Sequence, residues 1–241
     1  MSHIFDRAQL ILGKEKMDIL KSSHVAIFGV GGVGGYALES LVRIGVGEIT
    51  IIDADTISET NINRQIIATT KTIGLNKVDV AEARAKEINP DIIINKHKHF
   101  YLPDNKGDIN LKDFDFVIDA IDTVSAKIDI ITGCKDANIP IVSCFGCGNR
   151  IDPTKLVITD IYKTEMDPLA KVIRKECRNR GIKELKVVYS KETPLKPLQN
   201  EAELGENKGK AKGIAPGSTS FVPSAAGIYL AYIAVEELFK R

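Results

Sequence analysis

Gly29-Val30-Gly31-Gly32-Val33-Gly34 is the stretch of this chain whose residue types and spacing most plainly do chemistry. It follows the apolar run His24-Val25-Ala26-Ile27-Phe28 and opens a helical pattern over 32–44. Glycines at these positions permit a tight turn and let backbone approach a phosphate. The helix start then offers unpaired N–H groups and a partial positive charge. Gly29, Gly31, Gly32 and Gly34 are therefore candidate nucleotide contacts. Asp53 ends the next apolar run, where a carboxylate can accept a ribose hydroxyl. A glycine turn without a ligand is the bland alternative. Strand, loop, helix and acidic residue standing in register argue against it.

The loop alone does not choose between NAD and ATP, since both carry an adenosine ribose and a phosphate chain. The residues after the second strand favour ATP. Asp53-Ala54-Asp55 leads to Asn61-Ile62-Asn63-Arg64-Gln65, and Lys77 sits at the start of the next helical pattern. Hydride transfer has little use for an arginine and a lysine converging on phosphate, whereas nucleotidyl transfer builds charge on phosphate oxygens and needs them. Asp119 and Asp122 close the fourth apolar run, and one of them can hold Mg²⁺, which takes carboxylates together with phosphate oxygens. Each residue also has a plain structural reading. Arg64 can be a surface ion pair, Lys77 can cover a helix start, and Asp122 can cap the helix beginning near Val124.

The elements that must position these groups alternate along the first 150 residues. Strand patterns lie at 24–28, 49–53, 92–94, 114–118 and 140–144; helical patterns lie at 32–44, 75–88 and 124–137. Near-continuous apolar strands separated by helices predict an α/β fold, a Rossmann-like doubly wound and mainly parallel sheet. The alternation weakens later. Strands are expected at 156–158 and 185–189, helices at 168–178 and 223–239, and a mobile loop at about 192–217. One domain over 1–241 is expected, with a nucleotide-binding core at 1–150 and a substrate and dimer region at 151–241.

Composition narrows the class. The chain has 241 residues, 44% hydrophobic and 27% charged, with a net charge of +1 and no tryptophan. That excludes a wholly disordered chain and a multi-span membrane protein. The first residues lack the apolar core of a signal peptide, so a cytoplasmic protein with free thiols is expected. The apolar stretch from Phe221 to Val235 contains Pro223 and falls short of a bilayer span, so it reads as a buried helix and not a membrane anchor.

Cys144-Phe145-Gly146-Cys147 is a C-x-x-C without a second pair, so zinc is not expected; buried free thiols fit better, with a redox pair as the alternative. His97 and His99 read as a solvated strand face. Lys171, Arg174, Lys175, Arg178, Arg180, Lys183, Lys186 and Lys191 face only Glu176 and Glu184 within 171–191, about +6 in a chain of +1. Such a bias reads as a footprint for nucleic acid, Lys171, Arg174, Lys175, Arg178 and Arg180 being the named contacts; a solvated helix face is the alternative.

Taken together, Gly29 to Gly34, Asp53-Ala54-Asp55, Asn61 to Gln65, Gly74-Leu75-Asn76-Lys77, Ile88-Asn89-Pro90 and Asp119-Ala120-Ile121-Asp122 resemble the E1-like (ThiF/MoeB/HesA-type) activating enzymes. Gly148 to Thr154, Thr159 to Thr164 and Asp167-Pro168-Leu169-Ala170 extend the likeness to the tRNA threonylcarbamoyladenosine dehydratases. The resemblance implies ATP and Mg²⁺, and a carboxylate activated as an acyl-adenylate on N6-threonylcarbamoyladenosine in tRNA. The neighbouring ureido group then closes a ring within the same substrate, with net loss of water and no nucleophilic cysteine. Carried over residue by residue, Gly31 and nearby backbone would hold the nucleotide, Asp53 the ribose, and Asn61, Arg64 and Lys77 the phosphates. Asp122 would hold Mg²⁺, and Arg7 would reach into the partner's site of a homodimer. A sulfur-relay protein is a further partner in view. The competing readings are adenylation of a ubiquitin-like sulfur carrier, an NAD-dependent oxidoreductase, and a nucleotide-binding regulator without chemistry.

Overall fold

In the computed structural model of the chain, residues 4–196, 198 and 216–241 are described. The strands are β1 (His24–Phe28), β2 (Glu48–Ile52), β3 (Ile93–His97), β4 (Phe116–Asp119), β5 (Ile141–Cys144), β6 (Leu156–Asp160) and β7 (Lys186–Ser190). The helices are α1 (Asp6–Ser22), α2 (Gly34–Ile44), α3 (Lys77–Ile88), α4 (Val124–Asp136), α5 (Pro168–Asn179) and α6 (Phe221–Leu238). All seven strands join one sheet in the order β3-β2-β1-β4-β5-β7-β6. Every pairing is parallel except β6 with β7. This is the expected doubly wound α/β architecture. The last third of the chain continues the same sheet.

Side chains alternate across the central strands and supply two cores. Val25 and Ile27 face a cluster with α2, α3 and α6, whereas Ala26 and Phe28 face a cluster with α4 and α5. β3 extends beyond the expected 92–94 through Asn95, Lys96 and His97. It is an edge strand, where polar side chains find partners: Asn95 donates to Glu48 of β2 at 2.7 Å, and Lys96 Nζ lies 2.8 Å from Asp79 and 2.6 Å from Glu82 of α3. The apolar C-terminal stretch forms α6, which is long and apolar enough to cross a membrane, yet half of it is buried in the fold. Val222, Ala226, Leu230 and Ala234 belong to the same core as α2, which accounts for its apolarity. The loop expected at about 192–217 lies mostly outside the described residues.

Beneath the carboxyl ends of β4 and β5 lies a buried ion pair. Asp119 and Lys127 are both 0% exposed, with Nζ 2.7 Å from Oδ2. The same ammonium donates to the Cys144 carbonyl at 3.2 Å and sits 4.7 Å from the centre of the Phe145 ring. The other Asp119 oxygen accepts the Ile121 N–H at 3.4 Å. A buried charge stripped of its partner is costly, whereas an apolar replacement of both partners is not. Lys127→Met should therefore lower unfolding free energy by about 3–5 kcal/mol, and Asp119→Leu with Lys127→Met should recover most of it. Urea titration decides the matter, and a double variant no more stable than the single one would contradict it.

Candidate active site

The chain turns outward in one direction from β1 to β2 and in the other from β4 to β5. Neighbouring β1 and β4 therefore leave a crevice beyond their carboxyl ends. The crevice there has a volume of about 470 Å³. A larger depression of about 640 Å³ lies at the amino ends of β4, β5 and β7, away from the glycine loop. It is lined in part by Lys186 and Glu237, which already pair with each other. The chemistry identified in the sequence gathers in the smaller one.

The glycine turn forms the floor. A methyl carbon on Gly34 would lie 1.8 Å from the Gly29 carbonyl oxygen, so α2 can begin against β1 only with glycine there. Gly31 is different: the nearest atom to such a carbon, Gln65 Nε2, is 3.9 Å away, and the position faces the crevice. Gly29 and Gly32 also line it. Gly34 sits behind the turn, buried.

Acidic and basic groups stand around this floor in fixed positions. Asp53 follows β2; one oxygen accepts the Val30 N–H at 2.7 Å and the other the Asp55 N–H at 2.9 Å. Burial pushes its carboxyl above the usual range, against the pull of Lys77 and these donors. A carboxylate has about four acceptor positions, so it keeps capacity for a sugar hydroxyl. Lys77, the first residue of α3, is only 7% exposed, with Nζ 2.6 Å from Asp55 and 3.7 Å from Asp53. Arg64 donates to the Thr60 carbonyl at 2.8 Å and to Asn63 Oδ1 at 2.9 Å. Asn61 accepts the Ser58 N–H at 3.2 Å in a single helical turn. Asn61, Arg64, Lys77, Asp53 and Asp55 all line the crevice.

The two acidic residues after β4 separate. Asp119 is committed to Lys127. Asp122 lines the crevice, is exposed, and has no ion-pair partner among the described residues. Thr123, not Asp122, is the cap residue of α4. A lone exposed carboxylate beside a phosphate cradle suits Mg²⁺. Among the described residues no group of three or more His, Cys, Asp or Glu side chains gathers.

Other residues fall elsewhere. Arg7 is exposed on α1, outside this chain's crevice, and α1 is interrupted at Gly13. Lys171, Lys175 and Arg178 are exposed on α5, Arg178 with its guanidinium 5.3 Å from the Tyr162 ring. Arg174 turns inward and donates to Thr164 at its carbonyl (2.7 Å) and hydroxyl (2.6 Å). Arg180 pairs with Glu176 one turn back.

Sequence reasoning missed part of the wall. Gln65 is buried and lines the crevice, and its Oε1 has no hydrogen-bond partner among the described residues. Its place beside Arg64 was visible, but nothing in the residue types marked it. His99, Phe100 and Tyr101 also line the crevice. The expectation of a solvated histidine face fails for His99: its Nε2 is buried without a partner and Gly107 packs over the ring. Burial and the neighbouring His99 hold His97 below the usual histidine range. Tyr101 spends its hydroxyl on Asp129 at 2.8 Å.

The chain is 41% identical to the tRNA threonylcarbamoyladenosine dehydratase of Bacillus subtilis, covering 100% of this chain and 96% of that protein. It superposes on the crystal structure of the Escherichia coli tRNA N6-threonylcarbamoyladenosine dehydratase in complex with ATP with a TM-score of 0.84 at 30% identity, covering 98% of this chain and 93% of that one. The Escherichia coli molybdopterin-synthase adenylyltransferase is 36% identical over 59% of this chain and 57% of its own length. The ThiF family model matches residues 5–235, and with a relative so similar along nearly its whole length the chain belongs to the ThiF family.

Proposed function

We propose that this chain uses ATP to adenylate the threonylcarbamoyl carboxylate of N6-threonylcarbamoyladenosine in tRNA and so drives its dehydration to the cyclic form. The observation that carries the reading is a crevice whose glycine floor, Asp53, Arg64, Lys77 and Asp122 suit a nucleoside triphosphate, in a chain alike over its whole length to dehydratases. Asp53 takes a ribose hydroxyl. The turn at Gly31 offers backbone to the phosphates, and Asn61, Arg64 and Lys77 face the charge that builds on them. Lys77 is held between Asp53 and Asp55, so its ammonium is presented without a search over rotamers. Asp122 would hold Mg²⁺, which neutralises the departing pyrophosphate.

The carboxylate oxygen bonds to the α-phosphorus as its bond to pyrophosphate breaks. The ureido group then attacks the activated carboxyl carbon, and AMP leaves with the oxygen that would otherwise depart as water. The second step is intramolecular and needs only that the adenylate be kept from solvent. Adenylation of a sulfur-carrier protein would use the same crevice; the molybdopterin-synthase adenylyltransferase is alike over only 59% of this chain. Residues 1–150 would bind the nucleotide, and 151–241 the substrate and a second copy, in a cytoplasmic homodimer. Leu10 and Ile11 on α1, each 86% exposed and near Arg7, would add this helix to the surface that 151–241 offers the second copy. Lys171, Lys175 and Arg178 supply the phosphate-facing surface for tRNA. Arg174 and Arg180 contribute to charge while bonded within the protein.

Three measurements test this reading. Incubation with ATP, Mg²⁺ and tRNA bearing the modified adenosine should yield a nucleoside lighter by one water. Arg64→Ala or Asp122→Asn should each slow that reaction by about a hundredfold or more, the scale seen when a group stabilising transition-state charge is removed. Lack of any mass change with wild type sinks the proposal. Neutralising Lys171, Lys175 and Arg178 together should weaken tRNA binding and lower its salt slope by about 2–3, with ATP affinity unchanged; equal loss of both contradicts the RNA role of α5. For the dimer, Arg7→Ala and Arg64→Ala proteins are mixed after dissociation. If Arg7 serves the partner's crevice, random reassociation should restore about a quarter of wild-type activity, because one site in each mixed dimer is whole. No recovery means that Arg7 acts in its own chain, and an Arg7→Ala protein that is fully active by itself means that Arg7 has no role.

A further inference from the structure

The C-x-x-C pair after β5 has no part in the proposed chemistry, yet it is built into the frame of the crevice. Cys144 Sγ and Cys147 Sγ are 3.4 Å apart. Cys144 is buried and Cys147 half-buried. From this pair two chains of contacts lead to the nucleotide site. The Cys144 carbonyl accepts from Lys127, which holds Asp119, which in turn accepts the N–H of Ile121 in the crevice wall. On the other side Asn149 accepts the Gly217 N–H at 2.6 Å, and the next carbonyl, Ser218, accepts from Asn63 at 2.9 Å, beside Arg64.

The loop between these anchors has little slack. Arg150, 3% exposed, donates to the Gly146 carbonyl and to the Glu192 carbonyl at 3.0 Å, and pairs with Asp167 at 3.3 Å. Gly146 has φ +62°, and a methyl carbon there would lie 2.2 Å from Asp167 Oδ2. The bonding distance is about 2.05 Å, so closure draws the sulfurs together within a loop held on both sides, and any backbone shift that the bond's geometry requires is passed to those anchors. The remaining thiols are poor competitors. Cys134 and Cys177 are buried in the other core, whereas Cys147 is half-buried and stands beside Cys144.

We propose that Cys144 and Cys147 are a modification site: they close to an intrachain disulfide when a small-molecule disulfide is in excess, and closure weakens nucleotide binding in the crevice. The Cys147 thiolate, the accessible partner, attacks one sulfur of the small disulfide and expels a thiolate. Cys144 then attacks the Cys147 sulfur and expels the second. The protein thiols lose two electrons and two protons, and the small disulfide takes up both to leave as two thiols. The consequence for binding rests on the nucleotide reading of the crevice.

The test uses the full chain equilibrated with glutathione disulfide, then alkylated and digested. The peptide carrying both cysteines should be lighter by two hydrogens, and the affinity for ATP without tRNA should fall by at least about fivefold and return with dithiothreitol. Cys147→Ser should bind ATP as the reduced protein does and ignore the oxidant. The proposal is overturned if both thiols remain open to alkylation, if the bond forms with ATP affinity unchanged, or if Cys147→Ser loses affinity equally. A reduced protein that binds no ATP overturns the nucleotide reading itself and the switch with it. One that binds ATP and switches, yet leaves the modified tRNA untouched, rejects only the substrate assignment.

Discussion

Everything at the crevice follows from how closely α2 starts against β1. With glycine at 34, the first turn of α2 packs onto the Gly29 carbonyl, and no side chain can stand between them. That contact sets the distance between strand end and helix start, and so the width of the turn at 30–33. A wider turn would carry the helix's unpaired N–H groups away from a phosphate and dilute the partial charge that they supply. The same turn is fixed from below, since the Gly29 N–H donates to the Ile52 carbonyl at 2.8 Å and the Val30 N–H to Asp53. Asp53, proposed to take a ribose hydroxyl, is thus one of the residues that hold the glycine turn in shape. Altering Asp53 would disturb both ends of a nucleotide at once.

Charge is handled by division of labour between two levels. Deep in the fold, Asp119 and Lys127 satisfy each other and spend their remaining hydrogen-bonding capacity on Ile121 and Cys144, which ties β4, β5 and the start of α4 together. At the crevice, by contrast, Asp122 is left unpaired and Lys77 is shared between two carboxylates. A group proposed to meet a polyanionic ligand is better held near its final place than neutralised by an ideal partner. The 3.7 Å separation of Lys77 from Asp53 and the half-exposed position of Asp55 leave that ammonium able to turn toward phosphate. The unpartnered Gln65 oxygen belongs to the same logic: polar groups at a binding site are left unsatisfied until the ligand arrives.

The central strands and their helices were legible because burial on both faces forces continuous apolar runs, and those runs leave little freedom in where the strand sits. Asp53, Arg64, Lys77 and Asp122 could be singled out because charged types follow the apolar runs beside a glycine turn, and the fold brings all four to one crevice. Edge and loop features could not. β3 runs on through Asn95, Lys96 and His97, which carry no apolar signal because an edge strand needs none. His99 looked solvated, since a local pattern cannot reveal that a glycine eight residues later folds over the ring. Gln65 is a buried amide, and burial is a tertiary fact. On α5 the charge count was plain, but it could not separate Arg174, which holds Thr164, from Lys171 and Lys175, which face outward.

That last distinction bears on how a chain of net charge +1 could hold a polyanion. Overall charge gives no long-range pull, so attraction must come from a surface where cations are not already spent on neighbours. On α5 the helix geometry makes that selection. Its inward face carries Ala170, Ile173 and Cys177 into the core, Arg174 sits at the boundary and bonds to Thr164, and Lys171, Lys175 and Arg178 project from the outer side. A ring beneath Arg178 limits its wandering without neutralising it, because a face of Tyr162 attracts a cation and leaves its charge available. The start of this helix is fixed by Asp167, which caps Ala170 and pairs with Arg150 of the loop after β5. The cationic face and the crevice frame are therefore parts of one rigid connection, and a nucleic acid seated on α5 would be held at a set distance from the nucleotide.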